Sequence, residues 1–262
     1  MSFLEIYLVT FVTVGAFMAL VWVISVPLRD VSIVDLVWGL TFVIAAFTHY
    51  FLATGGWDVR KLLITAMYTI AGVRLSGYLT WRKIRQHPGE DFRYQRMREG
   101  VGPTYWRVSL FSVFLLQGAI AAFISVVSLA AQYSGPQSLT VFDVLGAGVW
   151  LVGFYFEAVG DYQLARFKSD PANKGKVMDR GLWGLTRHPN YFGNAAQWWG
   201  YWLVAVSVPF GFLTIYGPVF MTFLLLRVSG VAMLEKDIAN RRPEYAAYIR
   251  SVPAFFPRLR RR

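Results

Sequence analysis

The stretch GLWGLTRHPNYFGN, residues 181–194, gathers Arg187, His188, Asn190, Tyr191 and Asn194 within eight positions, directly ahead of the apolar run AAQWWGYWLVAVSVPFGFLTIY. Pro189 pushes His188 toward extended backbone and suits the first position of a helix, which puts Asn190 and Tyr191 in its first turn. Open backbone N–H groups at such a terminus, with Arg187 and His188 before them, form an anion site. The preceding stretch RFKSDPANKGKVMDRG brings Arg166, Lys168, Lys174 and Lys176 to the same neighbourhood. An anion with several phosphates and a polar body fits this set better than a single lipid phosphate does.

Glu157 and Asp161, four apart in FYFEAVGDYQLARFK, stack two carboxylates on one helical face, where like charges repel unless something bridges them. A ligand with hydroxyl or amide donors would do so. Asp35, in RDVSIVDLVWG, follows Ser32 by three, so it reads either as part of a capping box or as an active-site acid. Arg74 and Tyr78 share one face of a helix at i and i+4. Arg227 and Glu235 are further ionisable groups at or just beyond an apolar run. At a helix centre in a membrane such groups cost about 2.5–3.5 kcal/mol each, so each stands as a functional candidate.

The elements that must position them are membrane spans. The chain has 262 residues, 56% hydrophobic and 16% charged, against a charged share of about 25% in soluble domains. A spanning helix needs about 20 mostly apolar residues, and the pattern predicts seven: 3–27, 33–53, 61–80, 108–131, 139–160, 192–208 and 210–227. The first is too long for a signal-peptide core and is expected to stay in the mature protein. Basic residues crowd 81–107, 161–191 and the segment from Arg227 onward, which alone holds nine Lys and Arg. Seven crossings put those three segments on one side, so the N-terminus is expected outside and the C-terminus in the cytoplasm. The fold class is therefore an all-α integral, multi-pass membrane protein forming a single domain over 1–262.

Composition also excludes. Without cysteine there are no disulfides, thiolate nucleophiles, iron–sulfur clusters or cysteine zinc sites, and histidines scattered at 49, 87 and 188 argue against a metal cage. The net charge of +11 has no soluble basic domain to carry it toward nucleic acid. The glycines of GAGVWLVG, 146–153, do not spell the Rossmann fingerprint and read as small residues for helix packing. Any dinucleotide must be held between helix ends.

The motif GLWGLTRHPNYFGN with QWWG, the upstream EAVGDYQLARFK and the tail LEKDIANRRPEYAAYIRSVPAFFPR resemble the steroid 5α-reductase family, especially its bacterial branch, and more distantly sterol reductases and isoprenylcysteine carboxyl methyltransferases. The likeness covers about 140–258 and, more loosely, VSIVDLVWG. It implies a seven-helix membrane oxidoreductase that uses NADPH to reduce the C4–C5 double bond of a 3-oxo-4-ene steroid or a similar lipidic enone. It further implies a substrate-cavity half, 1–135, and a cofactor half, 136–262. The cofactor residues it implies are Glu157, Asp161, Lys168, Lys176, Arg187, His188, Asn190, Tyr191, Asn194, Trp198, Arg227 and Glu235, with Tyr245 and Tyr248. The chain departs where the steroid enzymes have Glu for Asn194, Asn for Glu157 and Gln-Glu for Val34-Asp35. The family's carbonyl-polarising tyrosine corresponds to Tyr78.

Hydride addition to an enone builds negative charge on the carbonyl oxygen, so the chemistry calls for an acid there and for a dry cavity. Asp35 with Tyr78 is the expected acid pair, with Arg74 on the same face as the phenol. Two other readings compete. A methyltransferase using S-adenosylmethionine would have no phosphate for the cations around Arg187, and a non-enzymatic lipid-binding protein gives no reason for stacked carboxylates. The expected partners are a hydrophobic enone and membrane lipid; nucleic acid is not among them.

Overall fold

The computed structural model describes residues 1–86, 88–228 and 243–258. The structure is 81% helical, with no strand among the described residues. In hydrocarbon, where no water takes up backbone N–H and C=O groups, helices pair those groups within each segment. Among the described residues, six helical stretches are long and apolar enough to cross a membrane: Phe3–Leu28, Ile33–Leu52, Asp58–Arg85, Phe92–Tyr133, Val141–Ser169 and Gly211–Val228. The remaining predicted span, 192–208, forms a helix over Pro189–Val206 that is not among the six. Asn190, Asn194 and Gln197 dilute its apolar character.

The α-helices of the described residues are α1 (Phe3–Leu28), α2 (Ile33–Leu52), α3 (Asp58–Gln86), α4 (Phe92–Val101), α5 (Tyr105–Ser109), α6 (Leu116–Ile124), α7 (Val126–Tyr133), α8 (Val141–Ser169), α9 (Pro189–Val206), α10 (Tyr216–Phe223) and α11 (Pro243–Ser251). A π-helical turn, Leu110–Leu115, leads into α6, and another, Leu224–Val228, continues α10. Two compact units divide the chain: Met1–Thr140 with Ala205–Thr214, and Val141–Val204 with Ile215–Arg262.

In the first unit, α1 opens in a capping box. Ser2 Oγ accepts from Glu5 N at 3.3 Å, and Glu5 Oε2 accepts from Ser2 N at 2.8 Å. Arg29, in left-handed backbone at φ 52°, turns the chain from α1 toward α2. Helices α2 and α3 cross at Gly39 and Gly72, where a Cβ on Gly39 would stand 2.9 Å from Ser76 Oγ and 3.0 Å from Gly72 Cα. Arg60 is fully buried and donates to the carbonyls of Pro136 and Ser138 at 2.9 and 2.8 Å, while Lys61 Nζ donates to Ala53 O at 2.7 Å. These two cations brace turns of the first unit from within.

In the second unit, α8 and α9 run antiparallel along a seam of glycines. Gly146, Gly153 and Gly160 recur every seven residues on α8, as do Gly193 and Gly200 on α9. A Cβ on Gly146 would lie 2.7 Å from Gly200 O, and one on Gly153 would lie 2.6 Å from Gly193 O. Backbones this close are the small-residue packing that helices adopt in lipid, where van der Waals contact must do what water exclusion does elsewhere.

Candidate functional site

The glycine seam carries the acids of α8 onto the polar residues of α9. Glu157 accepts from Asn194 Nδ2 at 3.0 Å and from Gln197 Nε2 at 2.6 Å. One turn on, Asp161 accepts from Asn190 Nδ2 at 3.1 Å. Both carboxylates are buried, at 4% and 5% exposure. The bridging that the stacked acids require is thus supplied in part by side-chain amides of the facing helix. Gln197, which the pattern did not single out, is legible in hindsight as the residue three beyond Asn194 and four beyond Gly193, on the same helical face. It is 1% exposed, and its Oε1 accepts no hydrogen bond from the described residues.

Helix α9 begins at Pro189, with Asn190 and Tyr191 in its first turn. His188 is buried and stacks on Tyr191, ring centroids 5.5 Å apart and nearly parallel at 4°. Arg187 is also buried, and its Nη1 donates to the carbonyls of Ile249 and Val252 at 3.0 and 2.6 Å. A cation on the last carbonyls of a helix satisfies groups that α11 cannot pair itself and complements its dipole. The same clasp includes Arg187 N to Pro253 O at 2.9 Å, Thr186 Oγ1 to Phe255 O at 2.9 Å and Tyr248 Oη to Trp183 O. Tyr245 and Tyr248 pack on each other and on Val252, with Val177 against them.

Arg166, Lys168, Lys174 and Lys176 are exposed, Trp198 is buried against Tyr201, and Arg227 is exposed in the π-helical turn after α10. Glu235 lies outside the described residues. The second unit therefore joins Glu157, Asp161, Asn190 and Asn194 directly, while Arg187 braces α11. Removing that brace has a measurable outcome. Arg187→Ala leaves two carbonyls without their charged donor, worth about 1.5–3 kcal/mol each. Tryptic cleavage at Arg250 and Arg258 is expected to speed up by about tenfold or more, read by limited proteolysis. An unchanged rate would mean that Arg187 does not hold α11.

In the first unit, Asp35 accepts from Arg93 Nη2 at 2.6 Å and from Tyr94 Oη at 2.7 Å, with Gln117 Nε2 at 3.4 Å from the same phenol oxygen. The capping reading of Ser32 and Asp35 fails: Ser32 sits in helical backbone with no side-chain cap bond, and its hydroxyl is engaged by Asp30, Lys83 and Asp91 N. Desolvation alone would raise the Asp91 carboxyl, but hydrogen bonds and charge from Arg93, with Arg82 behind it, hold it below the usual carboxylate value. Lys83 pairs with Asp30 at 2.7 Å, and Arg98 with Glu90 at 2.8 Å. Lys83 thus ties the end of α3 to the α1–α2 turn, and the stretch after α3 is tied to the same turn by Glu90 Oε1, which accepts from Val31 N at 2.8 Å, and by Arg98 Nη2, which donates to Arg29 O at 3.2 Å. Tyr78 stacks on Trp81, with Arg82 over its ring at 5.9 Å, and half-buried Arg74 lies one turn earlier. The single O–H of Tyr94 donates its hydrogen bond to Asp35.

A protein family described as "Protein of unknown function (DUF1295)" matches residues 21–252. An uncharacterized protein of Schizosaccharomyces pombe is 27% identical over 270 residues, covering 91% of this chain and 76% of the relative. No solved structure matches the chain.

Proposed function

From the premise that the chain belongs to the DUF1295 family, we propose that it is an NADPH-dependent membrane reductase of the C4–C5 double bond of 3-oxo-4-ene steroids or similar lipidic enones. The observation that carries this reading is the polar cluster of Glu157, Asp161, Asn190, Asn194 and Gln197, placed on α8 and α9 where an exposed basic stretch follows α8. The likeness of GLWGLTRHPNYFGN to the steroid 5α-reductase family supports it. In this reading α9 is a seventh span: its 18 residues reach about 27 Å, close to the ~30 Å hydrocarbon core. The N-terminus is outside and the basic segments are cytoplasmic, in a bacterial cell facing inward across the inner membrane. Arg60 and Lys61, spent on carbonyls, do not oppose that orientation.

The donor set suits a dinucleotide. Arg166, Lys168, Lys174 and Lys176 would hold its phosphates, Asp161 with Asn190 and Glu157 with Asn194 its hydroxyl and amide groups, and the His188–Tyr191 pair a flat ring. When bound, NADPH supplies the hydride. The first unit takes the enone. Addition of a hydride at the β-carbon would push the double-bond electrons toward the carbonyl oxygen, where a phenol would donate a hydrogen bond, and the α-carbon would then take its proton from water. Two phenols are candidates to supply it: Tyr78, one turn from Arg74, and Tyr94, which Asp35 holds and which would turn its O–H from Asp35 to the substrate.

The test is steroid-dependent consumption of NADPH by the full chain in mild detergent. A charged hydrogen bond to the extra ribose phosphate contributes about 1.5–3 kcal/mol, so NADPH is expected to protect the protein against heat at concentrations at least about tenfold below NADH. Equal protection by the two would remove the phosphate argument. Protection by S-adenosylmethionine instead would replace hydride transfer with methyl transfer, and protection by none of the three would leave a lipid-binding protein.

A further inference from the structure

On the first unit, α2 and α3 are pressed together at Gly39 and Gly72, and beyond that crossing they leave a groove of about 680 Å³ between them. Leu36 and Leu40 form one wall, and Gly77, Thr80, Trp81 and Arg85 lie along the other. The floor is bare at Gly77, where an added Cβ would meet nothing within 4 Å. Ser76, 6% exposed, also lines the groove, and its hydroxyl has no hydrogen-bond partner among the described residues. The walls are apolar and face outward on helices that are long and apolar enough to cross a membrane.

Length and charge identify the occupant. From Val73 to Arg85 the lining of α3 advances twelve residues, about 18 Å along the axis. That is close to the half-thickness of a hydrocarbon core of about 30 Å, so the groove is one leaflet deep. Its polar end is marked by Arg85, an exposed cation with no acidic partner among the described residues. The neighbouring cations are differently placed: Lys83 pairs with Asp30, and Arg82 lies over the Tyr78 ring. A sterol or a neutral chain would leave Arg85 unmatched, and a free phosphate would leave the apolar walls bare.

We infer that this groove is a binding site for an anionic phospholipid, one acyl chain lying along Leu36, Leu40 and Gly77 with the headgroup phosphate on Arg85. The site is independent of the proposed reductase chemistry. Anionic lipid draws about 1 kcal/mol from each basic residue at the surface, a factor of about five.

The experiment is native mass spectrometry of the full chain released from nanodiscs of mixed phosphatidylglycerol and phosphatidylcholine. The wild type is expected to retain one phosphatidylglycerol in preference to phosphatidylcholine. Gly77→Leu puts a bulky side chain on the floor at a position whose added Cβ meets nothing within 4 Å and should reduce retention to background, and Arg85→Ala should weaken it by about fivefold. Arg96→Ala removes a charge from the same basic stretch away from the groove and should change nothing. Added inorganic phosphate should neither raise the melting temperature nor displace the lipid, and displacement would assign the site to free phosphate. Equal retention of both lipids, undiminished retention in Gly77→Leu, or an equal loss in Arg96→Ala would each overturn the site in favour of general attraction to a basic face.

Discussion

Gly153→Leu is expected to destroy the detergent-stable fold of the second unit, while Gly148→Leu on the same helix leaves it intact. A Cβ at 153 would sit 2.6 Å from Gly193 O and 2.7 Å from Gln197 N, both backbone atoms that cannot swing aside. A leucine there must force α8 and α9 apart, and overpacking of this kind costs about 1–3 kcal/mol or more. Separation would also draw Asn194 and Gln197 away from Glu157, and a buried charge stripped of its partners costs a further 3–5 kcal/mol, roughly. Gly148 has nothing within 4 Å of its would-be Cβ. Leucine at 148 should therefore hold or gain stability, up to about 1 kcal/mol from helix propensity. Thermal melting of both variants in one detergent makes the comparison. Equal melting temperatures would show that the helices do not meet at Gly153.

Asp35→Asn is expected to lower kcat by about 10²–10³-fold, the usual cost of losing a well-placed donor to a developing oxyanion, with NADPH affinity unchanged. Asparagine keeps the shape but not the charge that positions the phenol. If Asp35 serves only to staple α2 to Arg93, then Asp35→Asn and Arg93→Ala should lower stability together and leave kcat per folded molecule at the wild-type level. Steady-state turnover with a 3-oxo-4-ene steroid at saturating NADPH separates the two. The paired variants Tyr78→Phe and Tyr94→Phe then identify the phenol, because only the donor's loss should reproduce the fall in kcat.

Most of the helices were legible because long apolar runs leave the backbone few ways to pair its polar groups. The predicted spans 3–27 and 33–53 correspond to α1 and α2 almost residue for residue. The segment at 192–208 was harder, since Asn190, Asn194 and Gln197 serve the acids of α8 and not the lipid. Ser2–Glu5 and Ser32–Asp35 share one local pattern, yet only the first caps a helix. Asp35 is claimed by Arg93 and Tyr94, partners 58 and 59 residues away, which no short-range spacing reveals. Arg187 is a similar case. Its position beside a helix start suggested an anion, and its Nη1 donates to two carbonyls more than sixty residues downstream.

The seven-residue spacing of glycine on α8 and α9 has a corollary for how these helices find their alignment. Sliding one helix along the other by a single repeat would seat Gly153 on Gly200 and Gly160 on Gly193, so the glycines alone admit more than one register. Such a slip would move Glu157 from Asn194 and Gln197 to positions seven further along, Tyr201 and Val204. The carboxylate would then lose both amide donors inside an apolar seam, a penalty of several kcal/mol, roughly. Closeness is set by the residues without side chains, and register by the few polar ones, as a lone asparagine does in a coiled coil. Glu157 and its two amides thereby act as the index mark of a sliding scale.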